Sequence, residues 1–271
     1  MTRWSGARIL AVTNRKGGTG KTTTAVNLAA EFAGAGEAVL LVDLDTQGHA
    51  GIGVGVPPAP NRAGVHDLFV DPGASLAETI IPTAVDNLWL APAKTDFDGA
   101  VISRNDQLLA WQLRTHGQRF AWVVIDTPPT LDLALANGIC AAQAVMVPFV
   151  PHHLAVPAVE QLATLLYRTA SRNNPGLRLL GLLPVMLDRH LRLHRRVLAT
   201  LALRFGSHRI LRGIRSNITL AEAFEAGRPV RLFAPRSRGA LDYHMLAEEV
   251  RAFWPDPRNS FGGRYENRHA R

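Results

Sequence analysis

Short apolar runs recur along the chain, separated by longer stretches whose apolar residues have helical spacing. Six runs predict buried strands, at Ile9–Val12, Ala38–Val42, Asn87–Ala91, Trp122–Ile125, Ala144–Val150 and Leu179–Leu183. Helices are predicted after the first run (Ala25 to Phe32) and at Val65–Phe69, Ile102–His116, Val156–Tyr167 and Leu191–Phe205. Because strands alternate with helices, the pattern predicts an α/β fold: a single doubly wound, mostly parallel sheet with helices on both faces.

Glycine and proline mark the segments outside this pattern. Residues 51–64 are rich in both and predict a surface loop. Pro255, Pro257, Gly262 and Gly263 argue against a final helix. We therefore expect one domain over residues 1–254 and an irregular tail over residues 255–271.

A glycine-rich segment, Asn-Arg-Lys-Gly-Gly-Thr-Gly-Lys-Thr, joins the first strand to the first helix. Gly17, Gly18 and Gly20 allow a tight turn whose N–H groups, with the helix N-terminus, can surround an anion. Lys21 is placed to contact the β- and γ-phosphates, and the Thr22 hydroxyl suits Mg²⁺. The segment thus predicts a phosphate-binding loop.

The loop departs from the general G-x-x-x-x-G-K-[ST] pattern at its start. Arg15 stands where the pattern has glycine, and it is followed by a second lysine, Lys16. Such a lysine can reach a nucleotide held by a facing subunit, as an arginine finger does. An exposed lysine at a loop edge explains the residue equally well.

Acidic residues end two of the predicted strands. Asp126 follows four apolar residues, which is the Walker B arrangement in which a carboxylate holds Mg²⁺ through water. Asp43 and Asp45 follow the second strand, where open α/β sheets bind ligands. Asp45 is a candidate for positioning the attacking water or sensing the γ-phosphate, and we expect Asp43 to be structural. Either residue could instead be a turn residue or a helix cap.

Composition restricts the class of protein. The chain is 47% hydrophobic with a mean hydropathy of +0.03, and no apolar run approaches the roughly 20 residues of a membrane span. The first eight residues lack the apolar core of a secretory signal, so we expect a cytoplasmic protein. Cys140 is the single cysteine, which excludes an internal disulfide.

The positive charge is concentrated in one segment. Lysine and arginine exceed aspartate and glutamate by 30 to 22, a formal net charge of +8. Residues 189–215 hold eight arginines and no acid, so this segment accounts for the whole excess of positive charge. Arg192, Arg195 and Arg196 share one helical face, and Arg189 and Arg215 flank the helix. The segment favours contacts with DNA phosphates, although a solvated arginine-rich face is the alternative. His152, His153, His190 and His194 lack metal-ligand spacing and are interpreted as ordinary histidines.

Four stretches together resemble the ParA family, the deviant Walker A P-loop ATPases related to MinD. They are NRKGGTGKTTTAVNLA (14–29), VLLVDLDTQGHA (39–50), WVVIDTPPT (122–130) and NITLAEAFEAGRPVRLFAPRSRGALDY (217–243). Together they are specific and extend through nearly the whole predicted domain.

The resemblance implies a complete working cycle. ATP and Mg²⁺ would be the cofactors, with Lys16 and Asp45 as catalytic residues and Thr22 and Asp126 at the metal. ATP would be bound by Lys16, Gly17, Gly18, Thr19, Gly20, Lys21, Thr22, Thr23 and Asn217. An ATP-sandwich homodimer, in which Lys16 crosses to the partner's ATP, would bind non-specific double-stranded nucleoid DNA. A ParB-like or analogous adaptor would stimulate hydrolysis and release the dimer, and such cycles segregate plasmids or chromosomes or position carboxysomes and chemotaxis clusters.

Three family positions differ in this chain. The usual Pro-Gln-Gly-Asn after the second aspartate is replaced by Thr46-Gln47-Gly48-His49. A frequent Pro-Arg-Asn near the base pocket is replaced by Arg215-Ser216-Asn217. An acidic residue common after the fifth strand is replaced around His152.

Two other functions remain open at this point. A MinD-like membrane-surface factor would need a C-terminal amphipathic helix, which the prolines and glycines of the tail oppose. A nucleotide-gated DNA-binding module with negligible turnover would show no steady ATPase activity. We expect the partition or positioning ATPase, without a membrane.

Overall fold

Seven strands form one sheet in the computed structural model, which describes residues 6–59, 61–97, 99 and 105–254. In chain order the strands are β1 (Arg8–Val12), β2 (Val39–Asp43), β3 (Ile81–Pro82), β4 (Leu88–Ala91), β5 (Trp122–Asp126), β6 (Ala144–Phe149) and β7 (Arg178–Pro184). Their spatial order is β3-β4-β2-β5-β1-β6-β7, and every pairing except β3 with β4 is parallel. The predicted doubly wound parallel sheet is confirmed.

Eleven α-helices surround the sheet in the described residues. They are α1 (Lys21–Gly34), α2 (His49–Gly53), α3 (Asp67–Val70), α4 (Leu76–Thr79), α5 (Leu108–His116), α6 (Leu133–Ala141), α7 (Ala155–Arg172), α8 (Arg192–Phe205), α9 (Thr219–Glu225), α10 (Val230–Phe233) and α11 (Arg238–Ala252). A 3₁₀ turn at Ser207–Arg209 follows α8.

The helices form two layers because successive strand residues point to opposite faces. Trp122 and Val124 pack with α1, α2 and α9–α11, whereas Val123 and Ile125 pack with α5–α8. All five residues of β2 and of β5 are buried. A strand buried on both faces reads as a continuous apolar run rather than an alternating one, which explains the sequence pattern.

Several predicted bounds need correction. The loop predicted over residues 51–64 begins later, because α2 extends to Gly53. The helix predicted at Val65–Phe69 lies at Asp67–Val70. The long helix before β5 begins at Leu108, and residues 102–104 of the prediction lie outside the described residues. The tail at 255–271 also lies outside them, so the proposed division at residue 254 stays a prediction.

Six helices had no predicted counterpart: α2, α4, α6, α9, α10 and α11. The longest of them, α6, α9 and α11, complete both layers. Helix α6 is capped by Asp132, whose carboxylate accepts a hydrogen bond from the Leu135 amide, and α11 is capped by the Ser237 hydroxyl. None of the described helices has the length and hydrophobicity to cross a membrane.

The amino-terminal edge of the sheet is joined to α11 by one carboxylate. Glu37 accepts hydrogen bonds from Trp122 Nε1 at 3.0 Å and from Arg251 Nη2 at 2.9 Å, and it pairs with Arg8 at 3.3 Å. Trp122 also stacks on Phe32 with ring centroids 4.1 Å apart. Glu37 therefore connects β1, β5 and the last helix.

Replacing Glu37 with alanine should lower the free energy of unfolding by about 1–3 kcal/mol, because a buried indole N–H and a guanidinium lose their acceptor. Urea unfolding followed by circular dichroism measures the change. Asp86→Ala, at an exposed turn position, is the control and should shift stability by less than about 0.5 kcal/mol. Equal stability of the two variants would contradict this role for Glu37.

Candidate nucleotide-binding site

The carboxyl ends of three adjacent strands bring the predicted site residues together. Val12 at the end of β1 is in register with Asp126 at the end of β5, and Asp126 is in register with Asp43 at the end of β2. The glycine-rich loop leaves β1 between β5 and β6, where the chain order across the sheet reverses. Open α/β sheets bind their ligands at such a point.

The glycine-rich loop forms an anion-binding turn. Gly18 and Gly20 have φ angles of 70° and 71°, a left-handed conformation that side-chain-bearing residues rarely adopt. Gly20 directly precedes α1, and no side chain caps that helix. The first N–H groups of α1, at Lys21, Thr22 and Thr23, are therefore available to a phosphate, and the helix dipole favours negative charge there.

Hydrogen bonds hold the loop in this shape. Asn14 donates from Nδ2 to the Pro148 carbonyl at 2.7 Å and accepts from the Lys16 amide at 3.0 Å. The Lys16 carbonyl in turn accepts from the Thr19 hydroxyl at 3.1 Å and from Lys21 Nζ at 3.4 Å. The loop is thereby fastened to the end of β6.

Lys21 is a cation held in a mostly buried position. The residue is 7% exposed, and burial lowers its pKa, while the charges of Asp126 and Asp45 oppose that shift. A partly desolvated ammonium interacts more strongly with a phosphate than a fully hydrated one. Lys21 therefore has the placement expected of the phosphate-binding lysine.

Asp126 is a fully buried carboxylate, and neither of its oxygens has a hydrogen-bond partner in the described structure. Burial raises its pKa to about 7, although nearby Thr22 and Lys21 favour the charged form. A buried carboxylate without partners is costly unless a cation compensates it. The oxygen donors of Asp126 and Thr22 are those that Mg²⁺ prefers, so these residues fit the metal.

The acids after β2 have two different roles. Asp43 is fully buried and accepts backbone hydrogen bonds from Asp45, Ala50 and Gly51 at 3.0–3.4 Å, which fixes the loop between β2 and α2. Burial, with the neighbouring Asp126 charge, raises the pKa of Asp43 well above its usual value. Asp45 is partly exposed, and one of its oxygens accepts from the Gln47 amide at 3.1 Å. Asp43 is therefore structural, as expected, and Asp45 lies close enough for its charge to act on Lys21 and Asp126.

A cavity of about 530 Å³ continues from the start of α1. It is lined by Gly20 and Thr23 on the loop side and by Asn217, Met186 and Tyr243 on the far side. A cavity of this size beside a phosphate loop can hold a nucleoside. Among the far-side residues, Asn217 was predicted to contact ATP, and Tyr243 ends the stretch that carries the family resemblance, although no role was predicted for it. Met186 lies outside every motif.

The basic segment separates into free and paired arginines. Arg192, Arg195 and Arg196 are exposed on α8, with no ion pair among the described residues, and Val197 and Leu201 are buried on the opposite side. The predicted helix and its two faces are confirmed.

Two other arginines have acidic partners that the local sequence does not show. Arg204 pairs with Glu160 of α7. Arg215 forms a bidentate pair with Asp242, with its Nε and Nη2 at 3.0 and 2.7 Å from the carboxylate oxygens. The premise that the basic segment lacks acidic partners is therefore wrong for Arg204 and Arg215, because the acids come from α7 and α11.

The chain is similar in sequence to known proteins. Residues 7–179 match the family described as an AAA domain. The chromosome-partitioning ATPase Soj of Thermus thermophilus is 39% identical over 245 residues, which cover 90% of this chain and 96% of the relative. The chromosome partitioning protein ParA of Caulobacter vibrioides is 33% identical over 253 residues, covering 90% and 93%.

A solved structure shows the same fold with nucleotide. The cobyrinic acid a,c-diamide synthase of Mycobacterium smegmatis, with a bound ATP analog and magnesium, is 31% identical with a TM-score of 0.79. The match covers 94% of this chain and 99% of the other.

The fold and the site define an ATP-hydrolysing P-loop enzyme that uses ATP and Mg²⁺. Within that class, the chain belongs to the ParA family of the ParA/MinD superfamily, the partition and positioning ATPases. In such a site, Mg²⁺ supplies positive charge that neutralises the triphosphate and orients it for attack by water.

The unpaired carboxylate of Asp126 predicts a pH-dependent stability without magnesium. Its pKa is about 7 in the folded chain and near 3.8 when unfolded, so the folded state holds a proton that the unfolded state releases. The free energy of unfolding should therefore fall by up to a few kcal/mol between pH 4 and pH 8 in EDTA, since each unit of pKa difference is worth about 1.4 kcal/mol. Asp126→Asn should weaken this pH dependence, as measured by thermal unfolding.

Asp86→Asn, at an exposed position, is the matched control and should retain the wild-type pH dependence. Asp43 contributes in the same direction, so some decline will remain in the Asp126 variant. A full wild-type decline in Asp126→Asn would show that this carboxylate is not the source.

Proposed function

We propose that this ParA-family ATPase pairs around two ATP molecules, binds DNA without sequence specificity as that dimer, and is released when an adaptor stimulates hydrolysis. The observation that carries the DNA-binding step is the row of free arginines on α8. The cycle would segregate a plasmid or chromosome, or position a protein cargo such as carboxysomes or chemotaxis clusters, and would place the protein on the nucleoid in the cytoplasm.

The α8 arginines support the DNA surface. Arg192, Arg195 and Arg196 are spaced at i, i+3 and i+4, so their guanidinium groups lie along one face. Arg189 is also exposed, and its Nη2 lies 3.5 Å from the Arg212 carbonyl. Guanidinium groups without acidic partners can replace condensed counterions on a phosphate backbone. Arg215 was also a predicted contact, but its bidentate pair with Asp242 makes it a weaker candidate.

The phosphate loop supports pairing of two subunits. The exposed Lys16 lies at the outer edge of the loop, while Lys21 already supplies a buried cation from within the same subunit. Its exposed position would let Lys16 reach the nucleotide of a facing copy, where it would stabilise the transition state. Asp45, on the adjacent loop, would orient the attacking water.

The alternatives are less well supported. The M. smegmatis structure is named for an amide-forming reaction, a class of chemistry that can use a covalent cysteine intermediate. The single cysteine, Cys140, is buried, and burial raises its pKa to about 11, which disfavours the reactive thiolate.

A MinD-like membrane factor is tested by sedimentation with anionic liposomes and ATP.

Asp45→Ala should retain binding of ATP and DNA but lose ATP hydrolysis, because the carboxylate that orients water is removed while the phosphate loop is intact. Steady-state phosphate release with saturating DNA measures the loss, which we expect to be at least tenfold. Asp86→Ala is the exposed-acid control. Unreduced hydrolysis in Asp45→Ala would assign the water-positioning role elsewhere, and a protein without steady ATPase activity would be a nucleotide-gated binding module.

Replacing Arg192, Arg195 and Arg196 together with alanine should abolish DNA binding at physiological salt. Each lost phosphate contact should also lower the slope of log affinity against log salt by about 0.9. Fluorescence anisotropy with random-sequence duplexes at several salt concentrations measures both quantities.

A matched control removes the same charge at the opposite edge of the sheet. Three exposed arginines lie there: Arg114 in the last turn of α5, Arg119 after that helix, and Arg172 at the end of α7. Their triple alanine variant should retain most of the affinity. Equal losses in the two triple variants would mean that overall charge, rather than the α8 surface, determines binding.

A further inference from the structure

The side chain of Lys16 is not directed freely into solvent. Its Nζ lies 2.9 Å from Nε2 of His152, in the turn between β6 and α7. The Lys16 amide is already fixed by Asn14, which is bonded to Pro148 at the end of the same β6. Both the backbone and the side chain of Lys16 are thus attached to the β6–α7 connection of its own subunit.

The ring of His152 cannot accept both hydrogen bonds that its neighbours present. Its Nδ1 lies 3.0 Å from the Leu154 amide nitrogen, which can only donate, and its Nε2 faces the Lys16 ammonium, which also only donates. A neutral imidazole carries one hydrogen and has one accepting nitrogen, and a protonated imidazole has none. The Lys16 contact is therefore weak when the ring is neutral and repulsive when it is charged.

The groups around the ring favour its neutral form. Burial lowers the pKa of His152, and the charges of Lys16 and His153 add to that effect. The His153 ring lies edge-on, with its centroid 5.8 Å from that of His152. No acid is among these neighbours, so the described surroundings offer nothing that would stabilise an imidazolium at this position.

We propose that His152 is a positioning residue that retains Lys16 against its own subunit and releases it when the ring is protonated. This inference rests on the proposed function, in which Lys16 must cross to the nucleotide of a facing copy. A carboxylate at this position would hold the ammonium by charge at every physiological pH. The imidazole holds it weakly, and the strength of the hold depends on pH.

The inference predicts the direction of a pH effect on pairing. As pH falls through the pKa of His152, Lys16 is released, and the energy needed to move it to the partner decreases. ATP-driven pairing should therefore strengthen on mild acidification. Asp126, whose pKa is about 7, also titrates in this range, but it is present in every variant. A difference between variants at one pH therefore isolates the contribution of His152.

The contact itself can be tested without pairing. The pKa of His152 is measured by NMR of the imidazole resonances in the full chain without nucleotide, in wild type and in Lys16→Met. Removing the adjacent ammonium should raise the pKa of His152, and the resonances of the exposed His190 serve as the reference. An unchanged pKa of His152 would overturn the contact and with it the inference.

The effect on pairing is measured by analytical ultracentrifugation with Mg²⁺ and a non-hydrolysable ATP analogue, at pH 8 and at a pH below the His152 pKa that the NMR titration gives. At pH 8, His152→Ala should tighten the dimer roughly two- to tenfold, the range expected for one weak hydrogen bond. Below that pKa it should match the wild type. His152→Gln, whose amide oxygen accepts from Lys16 at both pH values, should lose the pH dependence attributable to this position.

His153→Ala is the matched control, because it changes the neighbouring ring and leaves the Lys16 contact in place. It should follow the wild type at both pH values. A dimer that is unchanged or weaker in His152→Ala at pH 8 would overturn the inference. If no variant pairs, wild type included, the proposed function fails, and the NMR measurement still decides whether His152 holds Lys16.

Discussion

A cluster of buried ionisable side chains at the carboxyl edge of the sheet is the constraint on which this protein depends. Asp126 is fully buried and has no hydrogen-bond partner among the described residues, Asp43 is buried beside it, and Lys21 is a nearby buried cation. Ionising these carboxylates is unfavourable without a bound cation and favourable around Mg²⁺ and a triphosphate. The polar interior is therefore explained by its ligands rather than by the stability of the fold.

The rest of the fold holds this unfavourable cluster in place. The strands that end in Asp43 and Asp126 are buried along their whole length, and helix layers cover both faces of the sheet. At the opposite edge, Glu37 and the stacked ring of Trp122 join the first strand to the last helix. Stability is thus concentrated in the centre and at the amino edge, while the carboxyl edge provides the chemistry.

The two lysines of the phosphate loop differ in how firmly their ammonium groups are held. Lys21 is buried and bonded within the loop, so its position is set before a ligand arrives. Lys16 is exposed, and its side chain has one weak contact to His152. A fixed ammonium is suited to binding phosphate within its own subunit. A loosely held ammonium is suited to contacting the nucleotide of a second subunit after the two subunits pair. With histidine instead of a carboxylate at position 152, less energy is needed to move Lys16 to the nucleotide of the partner subunit.

The sequence by itself determined the phosphate loop, the strand-ending acids and the chain order of six of the seven strands. Each of these is local: Gly18 and Gly20 lie within one turn, and Asp126 ends an unbroken apolar run. The tertiary structure alone decided which polar groups meet across the chain. Arg215 forms an ion pair with Asp242, and the Lys16 ammonium contacts the His152 ring. Met186 and Tyr243 line the far side of the cavity beside the phosphate loop. The partners lie 27 and 136 residues apart in the two pairs, so no periodicity or motif shows that they meet. The packing of α11 against the segment around Arg215, and of the β6–α7 turn against the phosphate loop, brings them into contact.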